Sequence, residues 1–230
     1  MRIYAISDLH LSFGADKPMN VFGDKWNNYE NKIKENWLSK VKDDDLVILA
    51  GDLSWATYLD EAKADFDFLT KLPGKKLLLK GNHDYWWETV TKMNRFLEEN
   101  GYKNIFFLYN NFYETDEYMI CGTRYWSYEE NTENEKIYSR ELERLKLSIK
   151  YASENNPDNK PIIIVTHYPP DERIISTVNE WNLNVKKWIY GHIHSNYQEM
   201  LVNIPNIDSY LTSCDYLNFD LLEINWILHK

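Results

Sequence analysis

Five short apolar runs punctuate the chain, at residues 3–6, 46–50, 77–79, 162–165 and 188–190. Between them, apolar positions recur at helical spacing around 28–41, 58–71, 88–100, 135–151 and 178–186. In the third of these segments Val90, Met93, Phe96 and Leu97 mark one face of a helix. Such strand–helix alternation predicts an α/β fold with a largely buried central sheet. Two stretches break the rhythm. Residues 105–123 read as two or three short strands, with turns near Asn110-Asn111 and at Asp116. Residues 196–224 read as further strands with turns near Pro205 and Cys214-Asp215, so hairpins or a second sheet are expected. The segment around 135–151 is dense in charge and ends in the polar turn Asn155-Asn156-Pro157-Asp158-Asn159. It reads as a solvated surface helix, a candidate flap over residues 131–156. No linker divides the chain, so residues 1–230 are expected to form one domain.

Composition fits that reading and narrows the function. A chain of 230 residues with 43% hydrophobic and 15% aromatic residues can bury a core of one domain. The net charge of −10 argues against a protein that coats nucleic acid. A local metal site can still attract phosphate, because bound cations dominate the field around them. Two distant cysteines, Cys121 and Cys214, exclude a disulfide-dense scaffold and a cysteine-rich zinc site, and read as reduced thiols. The first residues reach Asp8 before a signal-type apolar region can form. No run approaches the ~20 apolar residues of a membrane span. A soluble, cytoplasmic protein is expected, with no membrane partner and no stable nucleic-acid binding.

The candidate chemistry lies in the histidines. There are six, and all but His229 follow closely on an apolar run. The segments behind the five runs read Ser7-Asp8-Leu9-His10, Gly51-Asp52, Gly81-Asn82-His83-Asp84, Thr166-His167 and Gly191-His192-Ile193-His194. If the runs are parallel strands, these residues gather at the carboxyl edge, where open α/β sheets bind ligands. Asp8 with His10, and His192 with His194, share the i, i+2 spacing of one strand face, so each pair can grip one ion from one side. A mixed nitrogen and oxygen donor set without thiolate suits Mn, Fe, Zn or Co. The glycines before Asp52, Asn82 and His192 fit sharp exits from the strands. A lone histidine near a strand end is usually only a satisfied polar residue, but five such elements in order point to a metal site. His229, beside the terminal Lys230, reads as a surface residue.

This ordered set resembles the calcineurin-like metallophosphoesterase superfamily, over positions 8 to 194. The resemblance implies a sandwich of two mixed β-sheets flanked by helices, with two divalent metal ions, manganese foremost. By motif position, Asp8, His10, Asp52 and His194 would hold one ion. Asp52, Asn82, His167 and His192 would hold the other, with Asp52 bridging and His83 beside the site as a catalytic acid. The chain departs from the serine/threonine protein phosphatases: Trp55 stands where the aspartate that orients the catalytic histidine would be, and no arginine follows it. Asp84 is more like the phosphodiesterase and small-molecule phosphohydrolase branches. His83 differs from the arginine of the lipid-A-pathway pyrophosphatases.

The reaction implied is hydrolysis of a phosphate ester by a metal-bridging hydroxide, with a small phosphate ester as substrate. Two ions ~3.5–4 Å apart clamp an in-line displacement at phosphorus, and His83 as imidazolium would protonate the departing alkoxide. Alternatives are a phosphomonoesterase or protein phosphatase, a nuclease subunit, and a scaffold that kept the fold but lost catalysis; no motif residue shows the decay this last one predicts. Specificity would come from aromatic loops, through Phe13, Phe22, Trp26 and Tyr29, then Tyr85-Trp86-Trp87, then Tyr125-Trp126 and Tyr168. Such rings either stack on a flat substrate group or pack the core. Arg124, behind a predicted strand, is the candidate phosphate contact, with a surface salt bridge as its alternative.

Overall fold

The computed structural model describes residues 1–126 and 132–224. Two five-stranded mixed sheets pack face to face. The first contains β1 (Ile3–Ile6), β2 (Leu46–Leu49), β3 (Lys75–Leu79) and β4 (Ile105–Leu108), all parallel, with β10 (Leu222–Glu223) antiparallel beside β1. The second contains β5 (Phe112–Glu114) antiparallel to β6 (Met119–Thr123), followed by β7 (Ile162–Thr166), β8 (Val185–Tyr190) and β9 (Asp208–Leu211) in parallel. The helices are α1 (Tyr29–Lys40), α2 (Lys63–Thr70), α3 (Val90–Asn100), α4 (Thr132–Glu154), α5 (Glu172–Glu180) and the single turn α6 (Tyr197–Met200).

The central strands read as unbroken apolar runs because both of their faces are covered. Ile3, Ala5, Leu46, Ile48 and Leu77 point between the sheets, against Ile120, Ile163, Val165 and Ile189. The alternate residues of the first sheet, Tyr4, Ile6, Val47, Leu49 and Leu78, pack outward among side chains of α1, α2 and α3 such as Trp37, Phe66 and Phe96. On the opposite side Met119, Cys121, Ile162, Ile164 and Trp188 meet Leu145, Ile149, Ile174 and Val178. Period-2 alternation therefore feeds three apolar layers, one between the sheets and one under each helical layer.

Three sequence expectations change here. Residues 105–108 do not form a hairpin with the next strand. They close the first sheet, and the chain then crosses at Tyr109–Asn111 into the second. The last helix before β8 lies earlier than residues 178–186. Asp171, after Pro169-Pro170, accepts from the backbone N–H groups of Arg173 and Ile174 at 3.1 Å and starts α5 there, so Ile174 and Val178 form its buried stripe. The segment 135–151 is a packing layer rather than a solvated helix: Tyr138, Leu145, Ile149 and Ala152 are buried against the second sheet. Most of its charges occupy the outer face, but Glu141 is buried. Residue 131 of the expected flap and His229 lie outside the described residues.

The sheets are tied together at one end. The Ser7 N–H donates to the Thr212 carbonyl (2.8 Å) and the Cys214 N–H to that of Ser7 (2.9 Å), so the exit of β1 is stitched to the exit of β9. The carboxyl ends of β1, β2 and β3 thereby face those of β7 and β8 across one rim.

Candidate metal centre

Each strand exit on that rim turns sharply. Asp8, His10, Asp52 and His192 all have left-handed backbones, with φ of 57°, 46°, 53° and 72°. For residues with a Cβ this conformation costs roughly 1–2 kcal/mol each. Four such residues within one cluster mark a place where geometry has been kept against local preference. Gly51 is left-handed too, and a Cβ there would run into the His167 ring. At Gly191 a Cβ would overlap the Ser7 hydroxyl and the Asp8 carboxylate. These two glycines let the backbone approach the cluster closely.

Seven side chains converge. His194 Nε2 lies 3.4 Å from Asp8 Oδ1 and 3.4 Å from His10 Nε2. His10 Nε2 is 3.8 Å from Asp52 Oδ2, and His167 Nε2 is 3.5 Å from the same oxygen. Asn82 Oδ1 sits between His167 Nε2 at 2.7 Å and His192 Nδ1 at 2.9 Å. Asp8, His10 and His194 form one set of mutually close donor atoms, and Asp8, Asp52 and His167 form another. The pairing expected from i, i+2 spacing fails at His192 and His194. Both lie past the end of β8, and His192 turns to Asn82 while His194 turns to Asp8.

Partners behind the cluster aim the rings. His167 Nδ1 is 2.9 Å from the Ala50 carbonyl, and His194 Nδ1 is 3.0 Å from Asp215 Oδ1, which leaves both Nε2 atoms facing inward. Asp215 is held by Lys25 (2.6 Å) and the Tyr197 hydroxyl (2.7 Å). Asp84, fully buried, accepts from the N–H groups of Asp52, Leu53, Ser54 and Gly81 and from the Trp86 indole, at 2.7–3.2 Å. It knots the β2 exit to the β3 exit, and so Asp52 to Asn82.

The electrostatics follow from crowding. Burial opposes a charge on His167, but Asp52 and Asp8 outweigh it and raise its pKa to about 9. His194, opposed by burial and favoured by Asp215 and Asp8, is pushed up to about 10. Burial and the neighbouring histidine cations hold His10 and His192 down at about 4. Asp8 and Asp52, although buried, stay well below the usual carboxylate range because those histidines surround them.

The donor set fits divalent metal. Among the described residues His10 Nδ1 and His83 Nδ1 are buried without a hydrogen-bond partner, and ring nitrogens, carboxylates and an amide oxygen are packed together as an ion's ligands would be. Beside them opens a cleft of about 330 Å³ bounded by His10, His83 and His194 and by Trp26, Trp55 and Lys25. The calcineurin-like phosphoesterase family matches residues 1–196, a span that holds every one of these ligands. The chain belongs to that family. Metal-dependent phosphoester hydrolysis is the general chemistry of the family, and the clustered ligands agree with it. The two-sheet fold also matches solved structures. A protein of unknown function from Aquifex aeolicus, AQ665, aligns over 96% of this chain and 95% of its own at 18% identity and a TM-score of 0.54. The phosphopantetheinyl hydrolase of Mycobacterium tuberculosis aligns over 100% and 96% at 14% identity and a TM-score of 0.48. No curated protein matches.

The remaining sequence candidates fall in different places. His83 lines the cleft, its ring 4.6 Å from Trp55 and 5.7 Å from His10. Trp55, at the position of the phosphatases' orienting aspartate, stacks on His10 at 4.8 Å and offers His83 a ring face. Arg124 does not line this cleft. Its guanidinium turns to Glu141 at 3.2 Å and lies 4.8 Å from the Trp126 ring, in a separate cavity. Trp86 and Trp87 are core residues, whereas Trp26 and the exposed Phe22 border the cleft. Sequence reading missed Asp215, which looked like a turn residue, and the structural role of Asp84. No helix of the described residues is long and apolar enough to cross a membrane.

Proposed function

We propose that this chain hydrolyses a small phosphate ester, as a phosphodiesterase or small-molecule phosphohydrolase, at a centre of two divalent ions. The carrying observation is that seven side chains from five separate segments meet at one rim: five form the overlapping sets Asp8, His10, His194 and Asp8, Asp52, His167, Asn82 Oδ1 ties His192 to His167, and Asp52 Oδ2 lies between His10 and His167 at 3.8 and 3.5 Å. Asp8, His10, Asp52 and His194 would hold one ion, and Asp52, Asn82, His167 and His192 the other. Manganese suits this nitrogen and oxygen set, with iron, zinc and cobalt as chemical neighbours. When bound, the ions supply Lewis acidity toward phosphoryl oxygens and toward a water.

The chain's own groups do the rest. Asp215 and the Ala50 carbonyl hold His194 and His167 in the orientation that presents Nε2. His83 faces the cleft with no competing hydrogen bond on Nδ1. Burial lowers its pKa against the pull of Asp52, and in its imidazolium form the ring would give a proton to a leaving alkoxide. Trp26, Trp55 and Phe22 form an apolar wall for the leaving group, and Lys25 adds a positive charge. A cytoplasmic setting suits the two buried free thiols.

The test is a screen of metal-loaded protein against mono-, di- and cyclic phosphate esters, with Asp52→Ala as its partner. Turnover of a diester, with both ions lost in Asp52→Ala by elemental analysis, is the expected result. Full metal occupancy in that variant, or no turnover by a fully loaded parent, would overturn the reading.

A further inference from the structure

A second cavity, of about 400 Å³, opens where the exits of β3, β4 and β6 meet α4. Four cations line it, Lys80, Arg124, Arg140 and Arg144, against only two carboxylates, Glu141 and Glu88. Glu88 is engaged by Lys92 at 3.2 Å. Glu141 is buried and overloaded. Arg124, Arg140 and Arg144 approach its single oxygen Oε1 at 3.2, 3.6 and 2.6 Å, while among the described residues Oε2 receives only the Thr123 hydroxyl at 3.3 Å. Arg124 Nε is buried with no acceptor, and Lys80 has no ion pair among the described residues. One carboxylate cannot satisfy three guanidinium forks, each with five donors. This excess of cationic donors, with Arg124 the most buried of the three arginines, sits in a protein whose net charge is −10.

We infer that this cavity is an oxyanion site, separate from the metal centre, that takes the phosphoryl group of a ligand through Lys80, Arg124, Arg140 and Arg144. Planar guanidinium forks match a tetrahedral oxyanion's edges, and an ammonium adds a point charge. The Trp87 and Tyr109 rings in the same walls exclude water and strengthen those contacts. The site adjoins the metal rim: the Arg124 carbonyl accepts from the His167 N–H at 3.0 Å. None of its four cations lines the cleft beside the metal centre.

Inorganic phosphate and a non-hydrolysable alkyl phosphonate, titrated by calorimetry into the metal-loaded full chain, test this. The parent should show two classes of site. Lys80→Met combined with Arg140→Gln should keep its metal and weaken one class by about tenfold or more. Asp52→Asn, which disturbs the metal centre, should retain that same class. Phosphate binding alone marks a free oxyanion as the ligand, and binding of both probes marks a phosphoryl group on a larger molecule. Equal binding by the parent and the double variant at equal metal content would overturn the assignment. So would loss of both classes in Asp52→Asn. Should Lys80→Met disturb the metal, Arg140→Gln alone decides, since its side chain is 56% exposed and its loss leaves the core intact; unchanged binding in that variant overturns the assignment equally.

Discussion

Replacing Asp84 by Asn removes a charge and one acceptor from the place where two strand exits are knotted. Asp84 Oδ1 accepts from Leu53 and Ser54 N–H (2.9 and 3.2 Å) and from the Trp86 indole (2.9 Å). Oδ2 accepts from Asp52 N–H at 2.9 Å and Gly81 N–H at 2.7 Å. An asparagine has one acceptor oxygen. If it serves the three donors of Oδ1, its NH₂ faces two N–H groups that no water reaches. Each lost bond to a charged acceptor is worth about 1.5–3 kcal/mol, so Asp84→Asn should cost about 3–5 kcal/mol after relaxation. For a domain of this size that is a fall in Tm of about 10 °C. Asp67→Asn, at a partly exposed carboxylate paired with Lys63, should cost about 1 kcal/mol or less and serves as control. Thermal unfolding of both variants measures the difference. Elemental analysis should also show less bound metal in Asp84→Asn, because Asp52 and Asn82 are placed through this knot. A Tm within about 2 °C of the parent, with metal unchanged, would refute the reasoning.

Three other expectations follow from single contacts. Asp215→Asn should weaken metal binding by about 10–100-fold, since the carboxylate aims His194; competition with a metal chelator reads it. Lys76 is fully buried, and burial lowers its pKa from 10.5 to about 8. Between those values the folded chain has shed the proton that the unfolded chain keeps, so stability should rise with pH through that window, and the penalty is complete below it. Lys76→Met should therefore stabilise by about 1–3 kcal/mol at pH 7, a gain that shrinks toward pH 10 in denaturant titrations. His83→Ala should retain metal, lose about 10²–10⁴-fold in kcat/KM on alkyl phosphate esters and lose much less on nitrophenyl esters. Equal losses across the leaving-group series would assign His83 to substrate positioning.

The parts legible in the chain were those with a period or a motif. The five apolar runs became β1, β2, β3, β7 and β8, because strands covered on both faces must be apolar throughout. Their exits carried the ligands because polar side chains become affordable only where a strand leaves the core. What could not be read was three-dimensional partnering. Asp84 serves donors from two separate segments, and Asp215 meets His194 only after the chain has returned past β9. The partner of Arg124 was hidden for the same reason. The arginine's place behind β6 was visible, but Glu141, which turns its side chain aside, lies on a helix whose inner face looked solvated.

The i, i+2 expectation held for Asp8 with His10, which share a donor set, and failed for His192 with His194 for an instructive reason. Asp8, His10 and His192 lie past the ends of β1 and β8 in left-handed backbone, where strand alternation no longer applies. Hydrogen bonds across the rim replace it: the Asp8 N–H donates to the Gly51 carbonyl at 2.9 Å, the His10 N–H to that of Asp52 at 3.0 Å, and the Gly191 N–H to that of His167 at 3.0 Å. Each ligand-bearing loop is thus held by the next loop rather than by its own strand. The two sheets reach the cluster from opposite sides, and the His192 N–H donates to the Asp8 carboxylate at 3.0 Å across the gap between them. Positive φ at several ligands and two buried carboxylates side by side both disfavour this arrangement in isolation. A cation bound there would relieve the carboxylate repulsion and join the sheets at the same point, so metal loading and the stability of the sandwich are physically one equilibrium.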